Sequence, residues 1–229
     1  MRADVIKIIK EAPLNKQVMM FSATLPQEVK EICRKYMHNP KEIIVDDETK
    51  LTLEGLLQFY VKLEEKEKNK TLSKVLDDIQ FNQVIIFVKN VPRCRELSKL
   101  LNECGFPSIA IHRDLPQEER IKLYNLFKDF KKRIMVATDI FGRGIDVVKV
   151  NAVINYDMPD SPDSYMHRVG RAGRFGTKGI TVTFIANEED QKTFDEIQKK
   201  FLIKADKLPE KIDPSTYCKL KQFFYLFLG

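Results

Sequence analysis

The sequence predicts an α/β protein with a parallel sheet covered by helices on both faces. Three observations carry that expectation. Short, continuously apolar runs alternate with amphipathic stretches of helical period. Runs such as residues 83–88 and 133–138 lack the in–out alternation of a half-exposed sheet. Hydroxyl-, glycine- and arginine-bearing stretches directly follow several of these runs, where ligands of such sheets bind. A chain of 229 residues suffices for one to two domains with a substantial core.

The elements follow in order. "QVMMFSA" (17–23) reads as a strand, 25–37 as a helix and "EIIVD" (42–46) as a strand. "DDETKLTLEG" (46–55) is polar and irregular, the composition of a linker. "LLQFYVKL" (56–63) is strand-like, 64–80 is a helix with a charged face, and "QVIIFV" (83–88) is a buried strand. A helix at 91–105 stops at Gly105, since glycine suits the residue past a helix end. "SIAIH" (108–112) is a strand and 116–130 a helix that opens after a proline. Strands are expected at 133–138, 152–156 and 179–185, and a closing helix at 188–201. No repeat of solenoid period and no low-complexity segment interrupts this order.

Composition narrows the function classes. The formal net charge is +6 and the pI about 9.0, which leans towards an anionic partner, nucleic acid being the commonest. Cys33, Cys94, Cys104 and Cys218 show no metal-ligand spacing and read as free thiols in a reducing compartment. No run is long and apolar enough to predict a membrane span, and the first residues lack a secretory pattern. The apolar "QFFYLFLG" at 222–229 is too short to span a bilayer and has no assignable role.

The strand ends hold the candidate site. Ser22-Ala23-Thr24 follow the first strand, Lys89-Asn90 the strand at 83–88, and "HRDLPQEER" (112–120) the strand at 108–112. "TDIFGRGID" (138–146) and "YDMPDSPDSYMHRVGRAGRFG" (156–176) follow the next two. Glycine-exposed backbone N–H groups with arginine forks compose a phosphate-binding surface. Each stretch has a plainer reading. Ser22 and Thr24 could cap a helix, Gln117 and Arg120 could be a solvated first turn, and "FGRG" could be a tight turn. Arg168, Arg171 and Arg174 recur at a spacing that would put them on one side of a helix, yet Gly170 and Gly173 interrupt it. Guanidinium groups beside close-approach glycines favour phosphate recognition there.

"SAT", "ATDIFGRGID" and "HRVGRAGRFG" together resemble the C-terminal half of a DEAD-box RNA helicase. "QVMMFSATL", "VDDETKLTL", "NQVIIFVK", "NYDMP" and "HRVGRAGRFGTKG" resemble its splicing and mRNA-export subgroup, that of the transcription-export complex, over about residues 1 to 213. The resemblance implies two RecA-like domains that clamp ATP, with Mg²⁺, and RNA between them. No G-x-x-x-x-G-K-[ST] and no Asp-Glu-Ala-Asp occurs in the sequence. Residues 1–46 are therefore expected to be the end of the first RecA-like domain, 47–55 the linker, 56–210 the second domain, and 211–229 a tail of unknown role.

By the same resemblance, Arg171 and Arg174 would act on the ATP phosphates as arginine fingers, with His167 as part of the catalytic set. Asp146 would meet the ribose. Thr138 and the Gly144 backbone would hold RNA phosphates near Arg143, with Gly144 also lying beside the nucleotide. Lys89, Asn90, Gln117 and Arg120 would lie on the RNA face or support it. His167 would couple to Ser22-Ala23-Thr24 across the domains. Expected partners are single-stranded or locally duplex RNA without sequence preference, a first RecA-like lobe and mRNA-export adaptors; no membrane is expected. The expected location is the nucleus, with the cytoplasm second, and the chain alone is expected to be inactive as an ATPase. No metal ligand is assigned in this chain, Mg²⁺ being held mainly by the first lobe.

Two positions depart from the family pattern. Asp114 stands where glycine is usual, a place where a left-handed residue is expected, and adds a carboxylate near RNA. Asp139 stands where the export subgroup often has asparagine. The competing readings are a non-catalytic RNA- or adaptor-binding module and an unrelated α/β nucleotide-binding domain.

Overall fold

The computed structural model describes residues 2–22, 27–43, 55–139, 147–173 and 177–218. The chain divides into two compact units, Met1–Glu48 and Thr49–Gly229.

The first unit holds helices α1 (Arg2–Glu11) and α2 (Gln27–Tyr36). The strand expected at 17–23 does not form: residues 17–22 carry no regular structure. Residues 42 and 43 of the strand expected at 42–46 are likewise irregular, and 44–46 lie outside the described residues. A strand exists only when a neighbour takes up its N–H and C=O groups, and the unit offers no such ladder among its described residues. The apolar pattern of the strand persists without its burial, since Phe21 is 90% exposed. Arg34 instead ties the end of α2 to the following segment through a two-pronged pair with Glu42, at 2.8 and 3.0 Å.

The second unit is a seven-stranded sheet among the described residues. Its strands are β1 (Leu56–Lys62), β2 (Gln83–Phe87), β3 (Ser108–Ile111), β4 (Ile134–Ala137), β5 (Val150–Asn155), β6 (Gly179–Ile185) and β7 (Asp206–Lys207). They lie in the order β3-β4-β2-β5-β6-β1-β7, and every pairing is parallel. Parallel neighbours need crossovers, supplied by α3 (Lys68–Asp78), α4 (Val91–Glu103), α5 (Gln117–Lys128), α6 (Pro162–Val169) and α7 (Glu188–Phe201).

The strands of the sheet's centre read as unbroken apolar runs because both faces are covered. On β2, Ile85 and Phe87 face a core shared with Phe127 of α5, Tyr165 and Val169 of α6, and Phe194 of α7. Val84 and Ile86 face the other core, with Leu72 and Leu76 of α3 and Leu97 and Leu101 of α4. The period of two along each strand thus sorts side chains into two layers rather than into core and solvent. Because all strands run the same way, the segments after β2, β3, β4 and β5 share one edge of the sheet, the carboxyl edge.

Candidate nucleic-acid interface

The carboxyl edge is built on a buried ionic framework. Asp157, two residues past β5, is 3% exposed. It accepts from Lys68 Nζ at 2.9 Å, from the Lys89 backbone N–H at 3.0 Å and from Arg93 Nη1. Lys68 and Arg93 also pair with Glu65, at 2.9 and 2.7 Å, and both cations lie over the Tyr156 ring. Burial works to raise the Asp157 pKa, but Lys68, the Lys89 amide and Arg93 together hold it below the ordinary carboxylate value. One aspartate thereby fixes the β2–α4 loop that presents Lys89 and Asn90.

Since the folded pKa of Asp157 is depressed, its ionisation stabilises the fold above the unfolded value of about 4. That contribution is lost as pH falls through the lower folded value. Asp157→Asn is expected to cost about 2 kcal/mol at neutral pH, because Lys68 loses its buried partner but keeps Glu65. Urea unfolding from pH 7 to pH 2 checks it: the wild-type midpoint should fall more steeply than the mutant's below pH 4.

A second buried cation holds α6. Arg168 is 1% exposed and makes a two-pronged pair with Asp139, Nη2 lying 2.7 Å from Oδ2. Its Nη1 donates to the Asp157 carbonyl at 2.7 Å, and the guanidinium sits over the Phe87 ring. Arg168 is thus a bolt joining the ends of β4 and β5 to α6. Asp139, a departure from the subgroup pattern, supplies its carboxylate.

Arg168 and Arg171 do not share one helical face. Helix α6 ends at Val169, so Arg168 is helical and Arg171 lies in the turn beyond. The glycines follow the helix instead of weakening it. Gly170 is the C-cap, and a Cβ there would come within 2.9 Å of the Met166 carbonyl oxygen. Gly173 has φ of +70°, which L side chains rarely adopt. Gly170→Ala is expected to destabilise the protein by about 1–2 kcal/mol through that backbone clash, read as a lower urea midpoint with an unchanged slope. Arg171 is 9% exposed, and its Nε donates to the His167 carbonyl at 2.9 Å. Arg174 lies outside the described residues.

The remaining expected residues are placed as follows. Thr138 directly follows β4, is 7% exposed, and its Oγ1 is buried without a hydrogen-bond partner among the described residues. Asn90 is the N-cap of α4: its Oδ1 accepts from the Arg93 backbone N–H at 2.9 Å, while Lys89 beside it is exposed. Arg120 is spent on its own loop, donating to the carbonyls of Arg113 and Leu115 at 3.0 and 2.9 Å and to Gln117 Oε1 at 3.3 Å. Ser22 belongs to the first unit. Ala23, Thr24, Arg143, Gly144 and Asp146 lie outside the described residues.

Asp114 corrects an expectation. Its backbone is not left-handed, so the turn forms without strain at this position. Its carboxylate lies 3.5 Å from Arg113 Nε and 3.9 Å from Arg95 Nη2, so the added charge has cationic neighbours. Sequence reading missed His112. It directly follows β3 at 2% exposure, and Arg95 Nε donates to its Nε2 at 3.1 Å. Burial first, and the Arg95 charge second, hold its pKa below the ordinary histidine value.

Residues 67–176 match the model of the helicase conserved C-terminal domain. The chain is 63% identical over 217 residues to the ATP-dependent RNA helicase uap56 of Schizosaccharomyces pombe. The match covers 95% of this chain and 50% of that protein. It is 59% identical to the ATP-dependent RNA helicase SUB2 of Coccidioides immitis, over 95% of this chain and 49% of that protein. Among solved structures, the C-terminal domain of the DEAD-box protein Dbp5 is 30% identical with a TM-score of 0.64, over 69% of this chain and 92% of that one. The chain belongs to the DEAD-box RNA helicase family. A structure of S. cerevisiae Dbp5 bound to RNA and ADP BeF3 is also similar, at 28% identity and TM-score 0.84, over 90% of this chain and 55% of that one. The chain spans about half the length of the curated helicases it matches. The second unit is accordingly a helicase C-terminal, RecA-like fold.

Proposed function

We propose that this chain supplies the second lobe of an ATP-dependent RNA helicase of the splicing and mRNA-export kind, working mainly in the nucleus. The observation that carries the reading is 63% identity, across nearly the whole chain, to a protein named as an ATP-dependent RNA helicase. The carboxyl edge supports it chemically. Residues 1–46 are read as the end of a first RecA-like domain and 47–55 as the linker.

In this reading RNA lies along the carboxyl edge. The Thr138 hydroxyl, without a hydrogen-bond partner among the described residues, and the exposed Lys89 are donors suited to phosphate oxygens. Phosphate contacts position a strand without reading it, so binding is sequence-independent and weakens steeply with salt. Asn90 and Arg120 act behind the surface, holding the loops that carry the contacts. Asp139, Arg168 and Asp157 keep α6 and the β2–α4 loop in register with the sheet.

ATP, when bound with Mg²⁺, supplies the phosphoryl group whose transfer to water drives the cycle. The donor set fits such a group: Arg171 offers a guanidinium oriented by the His167 carbonyl, the fork geometry that phosphate oxygens accept. Arg174, Asp146 and the Gly144 backbone complete the proposed contacts, with Mg²⁺ held mainly by the first lobe. His167 is read as the link to Ser22-Ala23-Thr24. Dbp5 structures include complexes with Gle1 and Nup159, and adaptor proteins are proposed as partners here by analogy.

RNA-stimulated ATP hydrolysis tests the reading, measured for this chain alone and mixed with a separately produced first lobe. Activity in the mixture alone is the expected result. RNA binding without activity in either sample would replace the reading with that of a non-catalytic binding module.

A further inference from the structure

The segment between β5 and α6 carries a feature that the helicase reading does not use. Of the ten prolines in the sequence, Pro162 alone directly follows a serine or threonine, namely Ser161. A serine followed by proline is the acceptor that proline-directed protein kinases select, because proline presents no N–H that the kinase would have to satisfy.

The fold keeps this serine within reach. Ser161 has φ of −156° and ψ of 156°, the extended backbone in which a kinase reads its acceptor. Residues 156–161 belong to no helix or strand, Asp160 is exposed, and residues 161–164 are half-buried. The hydroxyl is engaged only locally. Ser161 Oγ accepts from the Ser164 backbone N–H at 3.2 Å and donates to Ser164 Oγ at 3.1 Å. Neither bond reaches the core or a second element, so modifying the oxygen disturbs one turn and no strand.

A cation stands near the same turn. Lys200, in the last turn of α7, lies 2.8 Å from Asp163 in the first turn of α6, and both side chains are partly exposed. We propose that Ser161 is a phosphorylation site for a proline-directed serine kinase, and that Lys200 pairs with the phosphate it acquires. ATP is the co-reactant. The bond from Ser161 Oγ to the γ-phosphorus forms as the β–γ phosphoanhydride bond breaks, ADP leaves, and the hydroxyl proton passes to the kinase's catalytic aspartate. The phosphate carries a charge of about −1.5 to −2 at neutral pH, against −1 for a carboxylate, so it competes with Asp163 for the Lys200 ammonium. Asp160 and Asp163 oppose the added charge, and Lys200 offsets them. The inference stands independently of the helicase reading, since it uses neither RNA nor the nucleotide site.

The test treats the full chain with a cyclin-dependent kinase and ATP and maps the phosphate by peptide mass spectrometry. One phosphate on Ser161 is expected, and Pro162→Ala should slow its incorporation by about tenfold or more. A synthetic peptide of residues 154–168 serves as the control for sequence alone. Labelling of the peptide without labelling of the folded chain would overturn the proposal, because the fold would then hide the serine. So would phosphate on Ser164 instead, or incorporation unchanged by Pro162→Ala. Phosphorus NMR reads the seat. The second ionisation of the phosphate should move to higher pH in Lys200→Met, since removing a nearby cation disfavours the dianion. An ionisation unmoved by that substitution would remove Lys200 from its role.

Discussion

Replacing Arg168 with alanine should lower stability by about 3–4 kcal/mol, the largest loss expected from any single substitution at the carboxyl edge. The side chain is 1% exposed and carries contacts from three directions: Asp139 just past β4, the Asn155 side chain and Asp157 carbonyl at and just past the end of β5, and the Phe87 ring. Truncation removes all of them and leaves a void where a guanidinium had been. Asp139 is one-third exposed, so water can reach its carboxylate, which keeps the loss below that of a fully sealed pair. For a unit of this size the loss corresponds to a fall in Tm of roughly 6–16 °C. Arg168→Lys should recover only part of it, since an ammonium cannot make the two-pronged pair. Chemical denaturation checks both. A loss under about 1 kcal/mol for the alanine variant would show that the arginine is dispensable to the fold.

Arg168 also shows where sequence reasoning ended. Its spacing from Arg171 suggested a common role, but Arg168 lies in α6 and Arg171 in the turn beyond. An arginine read as part of that group is enclosed by the core, and its partner, Asp139, lies 29 positions away in sequence. Asp157 escaped notice for the same reason. Nothing local marks it, and its three partners come from α3, the β2–α4 loop and α4. Ion pairs across a sheet depend on strand order, which no short pattern encodes.

What the sequence did show follows from local physics. Residues 179–185 and 188–201 form their strand and helix with the expected boundaries, and the structure adds Asn187 as the N-cap of that helix. The failure at 17–23 is the counter-example. Its pattern is as strand-like as that of 83–88, but the latter has β4 and β5 on either side, whereas residues 17–22 have no ladder among the described residues. Apolar patterning states what a segment prefers, and pairing decides whether it is realised. Asp114 shows the reverse case. A glycine-to-aspartate departure that appeared to demand an unusual backbone needs none.

Arg171→Ala tests the proposed chemistry most directly. In a two-lobed enzyme, an arginine that meets charge developing on a transferring phosphoryl group contributes to the transition state more than to ATP binding. The expected result is a fall of about a thousandfold in RNA-stimulated kcat, with a far smaller change in KM for ATP and with RNA affinity largely kept. The stability cost should be smaller than that of Arg168→Ala, because the Nε hydrogen bond to the His167 carbonyl joins neighbours in one turn, whereas Arg168 ties two strand ends to α6. That contrast with Arg168 separates a functional arginine from a structural one only three residues away. Arg171→Lys refines the test: retained charge without the fork should leave kcat closer to the alanine variant than to wild type. Turnover within a few-fold of wild type in the alanine variant, together with a stability loss like that of Arg168→Ala, would make Arg171 a second bolt and assign the phosphate chemistry to other residues.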